Sequence, residues 1–90
     1  MIKLRLFSAL REIAGAKEVG VEGVELSVKE ALQQFVVKYG EKAKTTLFDS
    51  QGEVLPSVLV LVNGEAIGDG PATRVRKGDT IQVLLPTAGG

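Results

Sequence analysis

The 90-residue chain predicts an α+β domain, a mixed sheet covered by one main helix, and three observations carry that prediction. Ile2, Leu4 and Leu6 alternate with Lys3, Arg5 and Phe7, which is the period of a strand. Ser27 to Tyr39 carries apolar residues at helical spacing behind a capping signal. Val58 to Val62 and Thr80 to Leu85 are aliphatic runs set beside turn residues. No internal repeat, linker or low-complexity stretch interrupts them, and strands and helices mixed in this way within one short chain describe a single α+β unit.

Taken in order, the first strand directs Ile2, Leu4 and Leu6 toward the core and Phe7 the other way. Ser8 stands where a helix cap is wanted, ahead of Ala9 to Ala14, and Gly15 reads as the stop after about two turns. Lys17 to Leu26, with Val19, Val21, Val24 and Leu26 broken by Gly20 and Gly23, predicts a short or bulged second strand returning as a hairpin. Ser27-Val28-Lys29-Glu30 is a capping box, and Val28, Ala31, Leu32, Phe35, Val36 and Tyr39 form one helical stripe. Leu26 is placed to staple against Ala31, and Gly40 sits where a left-handed C-terminal cap is expected. Glu41 to Gln51 is polar and reads as a turn or a short helix before a loop around Asp49 to Gly52. The Val58 to Val62 run, apolar on both sides, predicts a strand covered on both faces. Asn63-Gly64 turns it into a short return at Glu65 to Ile67. Pro71 to Arg76 reads as a connector, Lys77-Gly78-Asp79 as a tight turn, and Thr80 to Leu85 as the last strand, ended by Pro86.

Composition narrows the function. A 44% hydrophobic and 24% charged chain is an ordinary folded globule. Eleven basic residues against eleven acidic ones argue against a nucleic-acid footprint. With neither Cys nor His there is no thiolate, imidazole base or ordinary zinc ligand, so no bound metal is expected. Met1 to Leu6 alternates charge with apolar residues and lacks the apolar stretch of a signal peptide, no segment has membrane-spanning length, and a cytoplasmic location is the expectation. Asp49, Asp69 and Asp79 lie in Gly-containing turns, where local hydrogen bonding accounts for them.

What remains for covalent chemistry is the end of the chain, Leu85-Pro86-Thr87-Ala88-Gly89-Gly90. Gly89 and Gly90 leave the backbone open to close approach, and the carboxylate of Gly90 is the candidate reactive group. The alternative is a loose, inert end. Residues 1–85 are thus expected to form the domain and 86–90 a flexible tail. Five extended residues at roughly 3.3 to 3.6 Å each reach about 17 Å, enough to enter a partner's pocket. Pro86 either stiffens the departure of that tail or simply terminates the strand. Alternation leaves Phe7 and Leu84 facing outward; if the first and last strands lie side by side, as in the β-grasp fold that the chain resembles, they would form with one face of Val58 to Val62 an apolar patch beside the tail, open to a partner or covered by the connector or a second copy.

A hairpin, one long helix across a mixed sheet and a last strand running into Gly-Gly resemble the ubiquitin-like β-grasp fold. Met1-Ile2-Lys3-Leu4-Arg5-Leu6-Phe7, Leu10-Arg11-Glu12, Val62-Asn63-Gly64-Glu65, Gly78-Asp79 and Pro86 to Gly90 together resemble the small, sulfur-carrying subunit of molybdopterin synthase. The resemblance covers nearly the whole chain. It implies a ubiquitin-activating-like adenylyltransferase that spends ATP to adenylate Gly90, conversion to a thiocarboxylate, and insertion of the tail into the large subunit of molybdopterin synthase. Sulfur would there pass to a pterin precursor of the molybdenum or tungsten cofactor. It implies no cofactor bound by this chain and no catalytic side chain of its own, and it places Arg11 near the docking surface. The same activated terminus would serve a protein modifier, or a carrier for tRNA or thiamine thiolation. Two features depart from the family pattern: Val83-Leu84-Leu85 stands where Phe residues are common, and Pro86 lacks a second Pro beside it.

Overall fold

The computed structural model describes residues 1–85. Its first strand, β1 (Ile2–Leu6), buries Ile2, Leu4 and Leu6 and exposes Lys3 and Arg5, as the alternation predicts. The chain then turns into α1 (Ser8–Ala14), which closes on Gly15 in the left-handed conformation. Ser8 is not the cap that the sequence suggests. The cap position belongs to Phe7, which stays extended, and Ser8 lies inside the helix boundary with φ of 52° and no capping hydrogen bond. A sharp bend at Ser8 is needed to bring Leu10 under the sheet, where it is fully buried.

The expected second strand divides in two. β2 (Glu18–Val21) returns antiparallel to β1, whereas β3 (Glu25–Ser27) leaves the main sheet. Gly23 makes the break: its φ of 132° is strained for an L side chain, and a Cβ there would press on Leu26. β3 pairs with β6 (Arg74–Arg76), a strand inside the segment that reads as a connector in the sequence. Between them, Arg74 reaches Glu25 at 3.3 Å and Glu30 at 3.5 Å. A three-residue strand of one buried Val75 between two arginines carries too little pattern to be read in advance.

The main helix, α2 (Val28–Tyr39), follows its signals closely. Ser27 Oγ accepts from the Glu30 backbone N–H at 3.0 Å, and Glu30 Oε1 accepts from the Ser27 N–H at 2.8 Å. The Ser27 backbone N–H, and then its side chain, hold the Glu30 carboxyl below its ordinary range, with the Arg74 charge a lesser cause. Val28, Ala31, Leu32 and Phe35 are buried, and the Phe35 and Tyr39 rings pack with centroids 4.7 Å apart. Gly40 has φ of 88° but ψ of −161°, so the left-handed cap is not formed. A third helix, α3 (Glu41–Leu47), starts at once from the same glycine. Ala43, Leu47 and the following Phe48 are buried.

β4 (Leu59–Val62) turns at Asn63 and Gly64, both at positive φ as a two-residue hairpin of the primed type requires, into β5 (Glu65–Ala66). After a 3-10 turn at Gly70–Ala72 and β6, the last strand β7 (Thr80–Leu84) runs through the middle of the sheet. The order is β2-β1-β7-β4-β5, with β1 and β7 parallel and the other neighbours antiparallel. α2 and the helices beside it cover one face, making this the ubiquitin-like β-grasp fold. β4 departs from expectation in being covered on one face only: Val60 is buried, but Leu59 on the other side is 55% exposed.

Candidate functional site: the uncovered face at the end of the last strand

The uncovered face of the sheet is ordered by register into rows that change character along β7. Near the start of β7 lie Lys3 and Thr80; one step further, Arg5, Gln82 and Leu61 stand side by side across β1, β7 and β4. At the far end Leu84 sits directly opposite Leu59. The same register, in which Leu6 faces Val83, carries the extended Phe7 to the other side of Leu84. The face therefore grades from charged to apolar in the direction in which the chain runs toward Pro86.

Phe7 and Leu84 are half-buried rather than fully outward, and Leu59 is the most open member of the row. Arg11 explains part of the shielding of Phe7. Its guanidinium carbon lies 5.7 Å from the Phe7 ring centroid, and Nη2 donates to the Leu6 carbonyl at 3.3 Å. A cation over a ring face is favourable by about 0.5–1 kcal/mol at an exposed site, and the hydrogen bond directs the side chain back over β1. The structure thus brings together Phe7, Leu84 and Arg11, three residues singled out by alternation and resemblance. Pro86, Ala88, Gly89 and Gly90 lie outside the described residues.

Leu59 is the member that sequence reasoning does not single out. Within Val58 to Val62 every residue is apolar, so no period-two signal says which side faces out; only the pairing of Leu59 with Leu84 assigns it. The segment 71–76, one candidate to cover the patch, is instead committed to β3 through Arg74–Arg76, with Val75 buried there.

Electrostatically, Lys3, Arg5 and Arg11 lie on or beside the face, and Glu18 pairs with Lys3 at 3.7 Å. Arg5 and Arg11 have no ion-pair partner among the described residues. The groups with displaced titration stand elsewhere. Asp79, held below the usual carboxylate range by the Arg76 backbone N–H and then the Asn63 amide, lies at the opposite end of β7. Among the described residues no group of three or more potential metal ligands converges, and no helix is long and apolar enough to cross a membrane. Such a face can bind and orient another protein.

Comparison with known proteins agrees with this geometry. The ThiS family model matches residues 4–90. Small archaeal modifier protein 1 of Haloferax volcanii is 33% identical over 87 residues, covering 96% of this chain and 97% of its own. The solution structure of small archaeal modifier protein 1 from Methanosarcina acetivorans superposes with a TM-score of 0.82 at 32% identity, covering 99% of this chain and 95% of that one. The crystal structure of the Amycolatopsis orientalis BexX/CysO complex contains a chain that matches with a TM-score of 0.81 at 25% identity over the whole of both. By family match, by fold and by relatives matched almost end to end, the chain belongs to the ThiS family of ubiquitin-like sulfur carriers and protein modifiers.

Proposed function

We propose that this protein is an acyl carrier whose C-terminal carboxylate, at Gly90, is activated by a ubiquitin-activating-like adenylyltransferase and then transferred to a protein amine. The observation that carries the reading is the apolar row Phe7–Leu84–Leu59, at the end of the strand that leads into Pro86 to Gly90. A carboxylate is a poor electrophile. Attack of its oxygen on the α-phosphorus of ATP, with departure of pyrophosphate, gives an acyl adenylate with a good leaving group. A lysine amine then attacks the acyl carbon, loses a proton and expels AMP, leaving an amide. The carrier's own part is geometric: the row grips the enzyme, and Arg5 and Arg11 favour an acidic counterpart. The modifier reading rests on the two archaeal relatives whose names describe modifiers.

A second reading is favoured by the family itself, whose members include sulfur carriers. In it a sulfur nucleophile displaces AMP, and the Gly90 thiocarboxylate delivers sulfur for molybdopterin synthesis as the small subunit of molybdopterin synthase, docked on the large subunit. Carriage of sulfur for tRNA or thiamine thiolation would use the same intermediate. Incubating the chain with the activating enzyme, ATP and a sulfur donor, then searching tryptic digests of cell lysates for lysines carrying the remnant Gly78 to Gly90, which begins after the last basic residue Lys77, separates these acceptors. Remnants on other proteins support the first reading; a thiocarboxylate with no remnants supports the second; absence of any adenylate overturns both.

A further inference from the structure

We infer that Asn63-Gly64 is a self-modifying site, at which the Asn63 amide is converted by water to a carboxylate at a rate set by its clasp to Asp79. The inference concerns a reaction of this chain with water and does not rest on the acyl-transfer reading. The reactive groups are neighbours in the turn between β4 and β5, and both residues are exposed to solvent. Gly64 carries no side chain to crowd an approach to its nitrogen, and its N–H donates to nothing among the described residues. Once deprotonated, that nitrogen attacks Asn63 Cγ; a C–N bond forms, the side-chain nitrogen leaves as ammonia, and a cyclic imide results. Water opens the imide at either carbonyl, leaving aspartate or isoaspartate at position 63.

What restrains this reaction is the grip on both atoms of the amide. Asn63 Oδ1 accepts from the Thr80 N–H at 3.0 Å, and Nδ2 donates to Asp79 Oδ1 at 3.0 Å. Asp79 is itself fixed: its Oδ2 accepts from the Arg76 N–H at 2.8 Å and its carbonyl from the Lys3 N–H at 3.1 Å. The amide is thus drawn to the start of β7, and ring closure has to swing Cγ over the Gly64 nitrogen and break both bonds. The nitrogen that must leave is the one donating to a carboxylate, a stronger bond than one between neutral groups. The backbone cannot move to meet the side chain, because φ of 52° at Asn63 and 84° at Gly64 belong to the primed hairpin turn.

The product undoes the clasp that delayed it. A carboxylate at position 63 has no N–H to donate and stands against the carboxylate of Asp79, where like charges disfavour each other. Isoaspartate also lengthens the backbone of a two-residue turn by one carbon. The β4–β5 turn and the turn before β7, joined through Asn63, Asp79 and Thr80, are then held less tightly, so modified chains form a less stable population.

The test ages the full chain in mildly alkaline buffer and reads position 63 in the tryptic peptide 45–74, bounded by Lys44 and Arg74. Conversion of the amide appears as a mass gain, and fragmentation separates Asn63 from Gln51 in the same peptide. The folded chain is expected to react about tenfold or more slowly than the chain unfolded in urea, and Asp79→Ala to accelerate the folded reaction by about tenfold. Asp79→Asn keeps an oxygen for the Arg76 N–H but removes the charge, and should fall between. Ser27→Ala weakens the fold at α2 without touching the clasp and should leave the rate unchanged. Asn63→Asp, which reproduces one product, should lower the urea midpoint. Equal rates in the folded and unfolded chains, unchanged rates in both Asp79 variants, or acceleration by Ser27→Ala as large as by Asp79→Ala would overturn the inference.

Discussion

Replacing Leu59 by alanine tests the uncovered face at its most open point. Fully burying a leucine side chain is favourable by about 1.5–3 kcal/mol, and Leu59 still exposes 55% of its surface. A partner that covers the row therefore gains a little over half of that range, about 0.8–1.6 kcal/mol, which corresponds to about 4- to 15-fold in affinity. The half already buried, against Leu84 and the groove beside β4, contributes to folding: a cross-strand pair is favourable by about 0.2–1 kcal/mol, so Tm should fall by no more than about 4–8 °C. Isothermal titration with the activating enzyme reads the first quantity and thermal denaturation the second. Leu59→Glu should weaken binding further, because a carboxylate would be desolvated in the interface. If both variants bind within twofold of the unmodified protein while retaining its Tm, the row is not a docking surface and the argument from register fails.

Further expectations concern the scaffold. Ser27→Ala removes one half of the capping box and should cost about 1 kcal/mol, read as a lower urea midpoint with unchanged slope. Because the folded Asp79 carboxyl titrates below its ordinary range, its contribution is fully present above the unfolded carboxylate value and is lost as pH falls through the lower folded value. Urea unfolding followed from neutral to acid pH should show Asp79→Asn flattening that acid limb, and an unchanged limb would remove Asp79 from the account.

Strong local signals were legible in the sequence: strict alternation in Ile2–Leu6, a reciprocal cap at Ser27 and Glu30, and Asn63-Gly64 at a two-residue turn. The misreadings share a cause, since each depended on what a segment meets elsewhere. Ser8 is a good cap by composition, but the bend into α1 puts Phe7 at the cap position. Gly40 has the positive φ expected of it, yet the helix that follows sets its ψ. Arg74–Arg76 becomes a strand only because β3, released at Gly23, is there to pair with it. At the site, alternation placed Phe7 and Leu84 on the same face, while Leu59 needed the register and the Arg11–Phe7 contact needed the fold.

Intact-mass analysis after incubation with the activating enzyme and ATP reads the chemistry at Gly90 itself, with the chain lacking Gly90 as the control. An adenylate is expected on the full chain and none on the shortened chain. An unmodified full chain, or a shortened chain modified equally well, would contradict activation at Gly90.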